Sequence, residues 1–336
     1  MIKGGELKNF ELETETILLP EGATPRARCV KIRWKDRPIA HLTQGIFRSY
    51  MYPLYSPAGV PLTTEYPVDH PHHNSIVVSA DVFFVKLPPL TPGVSSLTEE
   101  ATYNLYVNNV FQGRAPGRIW VADTESEEMS ESHLRVTQSI EWQGPEEWGA
   151  PPAVPGPFGR RVLARETRTY DIYPGKVANI VDLRTELSPT DWDITIGPTR
   201  HAYITVRVED KIRPINGGRL VDSEGREGED AVTGNVADWV DLSGPASYGK
   251  RAGIALMPYP SASGIPYPSG KDIPWYCASY GTMLINPFQR ERGVINRGDK
   301  LSLGVRILAH DGDAVEADVA GMYESLESEF MRAATA

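Results

Sequence analysis

Runs such as "RCVKIRW", "NSIVVSADVFF", "RETRTYDIYP", "VANIVDLRTEL", "HAYITVRV" and "KLSLGVRILAH" recur along the whole chain, rich in β-branched and aromatic residues. Side chains alternate across a strand, so a run like "TRTYDIYP" buries one face and wets the other. Thirty Gly and 28 Pro punctuate these runs and leave little room for long helices. "YPGK" at 173–176 separates two runs and reads as a hairpin turn. Only "DAVEADVAGMYESLESEF" carries a helical period, with Val315, Val319, Met322 and Leu326 on one face and Asp311 or Asp313 placed to cap it. The expected fold is all-β: a large antiparallel β-sandwich with a C-terminal helix. No repeat, linker or composition break divides residues 1–336, so a single domain is expected. The Pro- and Gly-rich stretches 86–100 and 143–160 read as long loops over or beside a site.

A net charge of −10 without any Lys/Arg-rich stretch argues against a nucleic-acid partner. Cys29 and Cys277 stand far apart without a CxxC partner, which indicates neither a disulfide framework nor a zinc knuckle. No apolar run approaches the roughly 18 residues of a membrane span, and the N-terminal stretch lacks a signal-peptide core. A soluble cytoplasmic protein acting on a small molecule is expected, and a homo-oligomer is compatible with the sequence.

The densest chemistry is "DHPHHN" at 69–74, which holds three of the seven histidines. It precedes a run bound for the interior, where each imidazole nitrogen needs a partner. Read as an extended segment, it puts His70 and His72 on one face and Asp69 and His73 on the other. Pro71 confines it to an edge or a strand entry. Two imidazoles facing a cleft serve acid–base chemistry or a metal equally well. The other use for such a cluster is a polar rim bonded to backbone carbonyls. GxSxG, P-loop, GxGxxG and HExxH signatures are all absent.

"RSYMYPLYSPAGVPLTTEYPVDHPHHNS", "ARETRTYDIYPG", "INGGRLVDSEGREGE", "KRAGIALM", "PWYCASYGTMLINPF" and "RILAHDGD", taken in order from about residue 37 to 325, resemble the DUF6807 family. The DHPHH element is the most specific piece. Genomes often label that family PmoA, after methane oxygenase, a name at odds with a chain lacking a membrane span. The resemblance implies a galactose mutarotase-like supersandwich and a setting beside sugar dehydrogenases and isomerases. Relatives commonly continue DHPHH with Arg-Gly, where this chain has Asn74-Ser75 while keeping Asp81. Many have Lys-Glu where this chain has Arg200-His201, and Pro-Trp-His where it has Pro274-Trp275-Tyr276. Such departures fit a related site tuned to another substrate, or one that has lost part of its chemistry.

The expected function is a carbohydrate-active enzyme working by proton transfer at or near a sugar carbonyl or anomeric centre: epimerisation, eliminative glycoside cleavage or hydrolysis. His72, His73 and His201 are the candidate catalytic residues. Arg48, Tyr52, Asn74, Arg200, Trp275 and Tyr276 are the candidate contacts to a sugar or glycoside, since aromatic faces take C–H surfaces and polar groups take hydroxyls. Tyr50, Tyr55 and Tyr280 add to the aromatic supply. The sequence singles out no cofactor, but His70 and His72, with His201 or Asp81 across the cleft, could hold a divalent metal. The alternatives are a noncatalytic sugar-binding or accessory subunit and, from the family label, a metal-dependent oxygenase.

Overall fold

The alternating runs pair into two large sheets that share one core. The computed structural model describes residues 2–5, 7–16, 26–87, 99–146, 160–246, 249–259 and 272–335. The eight-stranded sheet runs, edge to edge, through Tyr276–Ala278, Thr282–Ile285, Ala202–Arg207, Ile76–Ala80, Ser49–Leu54, Arg37–Gly45, Arg26–Trp34 and Phe10–Thr16. The nine-stranded sheet runs through Lys3–Gly4, Arg118–Ser130, His133–Glu146, Arg160–Tyr173, Ala178–Pro189, Leu301–Asp311, Arg251–Pro258, Val240–Pro245 and Arg219–Asp222. Every pairing in both is antiparallel except the short first strand, Lys3–Gly4, which runs parallel to Arg118–Ser130. A four-stranded sheet, Gly293–Ile295, Ile194–Ile196, Phe83–Leu87 and Glu99–Tyr103, completes the set. The fold is therefore the large antiparallel β architecture with a C-terminal helix that the periodicity predicts.

The hairpin around "YPGK" forms as expected, with Tyr173 opposite Ile180 and Asp171 opposite Asp182. Inward residues of both sheets, among them Trp142, Tyr170, Leu183 and Ile307 on one side and Ile32, Met51, Val78 and Ile204 on the other, belong to one core cluster. That core also encloses an ion pair. Arg168 donates to both oxygens of Glu166 at 2.6 and 2.8 Å, and the Trp142 indole donates to the same carboxylate at 2.7 Å.

The final helix, Val319–Thr335, packs Val319, Tyr323 and Leu326 against Ala255, Met257 and Leu308 of the nine-stranded sheet. Asp313 does not cap this helix but boxes the turn before it: its carboxylate accepts from the Val315 and Glu316 amides, while Glu316 accepts from the Asp313 amide. This reciprocal box ends in Asp318 at φ 53°, so the helix begins later than the period suggests and Val315 is left 80% exposed. Asp311 instead accepts from Ser56 and the Ala58 amide. The two expected loops are shorter than read. Strands Phe83–Leu87, Glu99–Tyr103, His133–Glu146 and Arg160–Tyr173 take up their ends, and 88–98 and 147–159 lie outside the described residues.

Candidate functional site

The cleft lies on the face of the eight-stranded sheet turned away from the shared core. In Ala202–Arg207, Ile204 and Val206 belong to the core cluster. Arg207, of the opposite parity to those two, would sit in water were it not covered by the DHPHH loop. That loop is not extended, which corrects the two-faced reading of its histidines. The His70 amide bonds the Pro67 carbonyl at 3.1 Å and the His73 amide bonds the His70 carbonyl at 2.9 Å, forming two successive turns. Pro71 occupies the second position of the later turn, where its fixed φ fits. A Tyr66–His73 backbone bond and a Glu65–Asn74 bridge close the loop. Because a turn reverses direction within four residues, side chains that would alternate along a strand converge. The His70 and His73 rings stack at 4.7 Å, and His72 stands edge-on to His73 at 4.7 Å.

Arg207 anchors the cluster. Its Nη2 donates to both oxygens of Asp69 at 2.8 and 2.6 Å, and its Nη1 lies 3.3 Å from His73 Nδ1. A guanidinium only donates, so His73 Nδ1 accepts and the proton sits on Nε2, donated to the Tyr106 hydroxyl oxygen at 3.0 Å. Both nitrogens are thus committed. Burial, then the charges of His72 and Arg207, push the His73 pKa down to about 2. Burial alone would raise the Asp69 carboxyl, but the Arg207 and His70 hydrogen bonds outweigh it and hold it well below the usual range. His73 is the keystone of the turn.

Two other imidazoles remain open to the cleft. The ring nitrogens of His72 make no hydrogen bond among the described residues, and burial, then the Arg48 charge, push its pKa down to about 4. Arg48 lies behind it, bonded to the His72 carbonyl, Asn74 Oδ1 and Asn108 Oδ1. His201 stacks on Tyr106 at 5.2 Å and meets the edge of Phe111 at 5.6 Å. The Arg200 Nε donates to His201 Nε2 at 3.2 Å, which places the imidazole proton on Nδ1, 3.6 Å from Asp81 Oδ2. Asp81 is itself fixed by both oxygens to Arg114, at 2.9 and 2.8 Å, and by the Val82 amide at 2.8 Å. Burial raises the Asp81 carboxyl, and the contacts with His201, Arg114 and Val82 more than reverse that.

His72, His73, Asp81, Tyr106, Phe111, Arg200 and His201 line a cleft of about 650 Å³, together with His70, Tyr276, Tyr280, Gln112 and Leu284. Val82 and Gln112, both on its wall, have φ of 51° and 49°, and Tyr66 and Ser75 at the loop's ends have 52° and 53°. A β-branched residue in the left-handed region is strained, and such strain collects at functional sites.

The remaining candidates fall elsewhere. Trp275 is in the core, 1% exposed, its indole bonded to the Ala237 carbonyl. Tyr52 is half-buried and does not line the cleft. Arg48 and Asn74 are buried behind the wall, whereas Arg200 and Tyr276 line it. Among the described residues no three His, Cys, Asp or Glu side chains are grouped to hold a metal ion. The His70 and His72 rings stand edge-on 5.8 Å apart, with His70 Nδ1 turned to Asp69 at 3.1 Å. Sequence reasoning missed Tyr106, Phe111, Arg114 and Arg207. Arg207 was signalled by a charge inside the apolar run "YITVRV", which demands a buried partner.

The buried imidazoles predict a pH optimum of stability. Below about pH 6.5 the unfolded chain protonates His72 and His73 while the folded chain refuses the protons. Their contribution is therefore lost as pH falls from about 6.5 through about 4 for His72 and on toward about 2 for His73. His310 has the opposite sign. Burial pushes it down, but its hydrogen bond to Asp241 at 2.7 Å and that carboxylate's charge raise it. Its contribution is present below about 6.5 and is lost as pH rises through the raised folded value. Denaturant unfolding should show greatest stability near pH 6.5, and His73→Asn should flatten the limb between pH 6.5 and 5 by about one proton. An unchanged limb in that variant would contradict the assignment.

A model of the family described as "Family of unknown function (DUF6807)" matches residues 29–324. No curated protein matches the chain. A Klebsiella pneumoniae structure described as a "putative aldose 1-epimerase" is similar at 10% identity and a TM-score of 0.41, over 95% of this chain and 87% of that one. A 4-alpha-glucanotransferase from Thermococcus litoralis gives 11% and 0.25 over 90% of this chain and 40% of that one. The Slr1438 protein from Synechocystis gives 7% and 0.24 over 92% and 98%. At these identities no residue role passes from those proteins to this one.

Proposed function

We propose that this chain, which belongs to the DUF6807 family, is an enzyme that moves a proton at or beside the carbonyl or anomeric centre of a sugar or glycoside. One observation carries the reading: two differently held imidazoles flank Tyr106 in one cleft. His201 is oriented by Asp81, and His72 is free of hydrogen bonds among the described residues. Phe111 and Tyr276, half-buried on the wall, supply aromatic surface suited to the C–H groups of a sugar ring.

In this scheme Arg200 turns from His201 Nε2 to the substrate, and the freed lone pair takes the proton. Asp81 stabilises the imidazolium that results, as an orienting carboxylate does for a general base. His72, held neutral with a pKa of about 4, donates an N–H hydrogen bond to the oxygen on which charge develops. The proton then returns to carbon or to a departing oxygen, or the base acts on water instead. Those three fates give epimerisation, elimination and hydrolysis.

The test is a turnover screen of neutral, acidic and 3-keto sugars and their glycosides. His72→Ala should lower kcat on the substrate found by about 10²-fold while the thermal midpoint moves little. Binding without turnover across the panel would favour a noncatalytic sugar-binding protein.

A further inference from the structure

Two guanidiniums at the cleft lack a carboxylate partner among the described residues, although the whole chain carries a net charge of −10. Arg48 is 3% exposed, and its partners are a carbonyl and two amide oxygens, with no carboxylate among the described residues. Its Nε has no hydrogen-bond partner. A buried cation without a counter-charge is costly, and such a cost is retained where a ligand or a developing charge offsets it. Arg200 lines the cleft, is exposed, and forms no ion pair among the described residues, leaning only on His201. The carboxylates nearby are already claimed. Asp81 is held on both oxygens by Arg114, and Asp69 is shared by Arg207 and Arg213. Asp210 answers Arg213. Arg114, Arg207 and Arg213 are thus paired, and Arg200 on the wall and Arg48 behind it are left without a carboxylate among the described residues.

We infer that the cleft takes an anionic sugar derivative, a sugar acid whose carboxylate is gripped by the planar fork of Arg200 and lies in the field of the buried Arg48. This rests on the proton-transfer reading for its chemistry but not for its ligand class. A carboxylate matches a single free guanidinium through two parallel N–H bonds, whereas a phosphate carries more oxygens than one fork can answer. The same field stabilises negative charge appearing on the substrate during proton abstraction, so ground-state recognition and chemistry draw on one electrostatic feature. Salt should weaken it, because Arg200 is exposed.

The experiment is calorimetric titration of the full chain with glucuronate, galacturonate and gluconate against glucose, galactose and glucose 6-phosphate, at low and at high salt. At least one acid should bind about 10-fold or more tighter than its neutral counterpart, with the preference reduced at high salt. Arg200→Met should remove about 10- to 100-fold of acid affinity, clearly more than it removes from the neutral sugar, and Arg200→Lys should recover only part. Equal binding of acids and neutral sugars, tighter binding of the phosphate, or an unchanged preference in Arg200→Met overturns the inference. The two readings fail separately. Turnover of neutral sugars without acid preference sinks the ligand class alone, whereas Arg200-dependent acid binding without turnover of any sugar upholds the ligand class and sinks the enzyme.

Discussion

Glu166→Gln is expected to lower the unfolding free energy by about 3–5 kcal/mol, the penalty of stranding one charge of a buried pair. The substitution changes almost no volume. It leaves Arg168, 1% exposed between the sheets, facing an amide that answers neither its charge nor both of its N–H bonds, and it weakens the anchor of the Trp142 indole. The thermal midpoint should drop by roughly 5–10 °C. Removing both charges is different: Glu166→Gln with Arg168→Met should recover part of the loss, since no charge is then left stranded and the amide oxygen still accepts from Trp142. Denaturant unfolding of the two variants checks both statements. A single variant within about 0.5 kcal/mol of wild type would mean that the pair is answered from elsewhere.

His201→Ala is expected to lower kcat by about 10²–10⁴-fold, the range that a positioned general base contributes. The thermal midpoint should change little, because His201 is only half-buried and its Nδ1 stands 3.6 Å from Asp81, beyond a hydrogen bond. Asp81→Asn should cost less, because Nε2 remains in the cleft and only its orientation and the stabilisation of the imidazolium are lost. His73→Ala should behave in the opposite way. Removing a ring that joins Arg207 to Tyr106 strands two buried groups, so stability falls and the loss of activity follows from the loss of the turn. A His73 variant that stays fully stable but loses turnover would move the base from His201 to the loop.

The period-2 pattern was enough to read the sheets, the hairpin after Tyr173 and the lone terminal helix, because burial on one face writes itself directly into alternation. Boundaries were less legible: Asp313 and Glu316 box the chain before Val319, and that local bond set competes with the apolar period that includes Val315. The histidine cluster lines a cleft, but as a turn and not as the extended segment expected. Pro71 was read as a strand-edge residue, but a proline fits the second position of a turn equally well, and only the backbone bonds decide between them. Trp275 and Tyr276 are adjacent in sequence and inseparable by type. Their fates diverge because one indole finds the Ala237 carbonyl in the core while its neighbour faces the cleft. Tyr106 and Arg207 come from segments far from "DHPHH" in sequence, so pairings across about 33 and 134 positions had to form before they could be seen as partners.

The most direct measurement is a proton spectrum of each candidate sugar in D₂O with wild type and with His201→Ala at equal concentration. For one substrate the wild type should exchange a carbon-bound proton for deuterium or release product, and His201→Ala should do so at least about 100-fold more slowly while remaining folded. Equal exchange or product release by the two proteins would contradict an acid–base role for the His201–Asp81 pair.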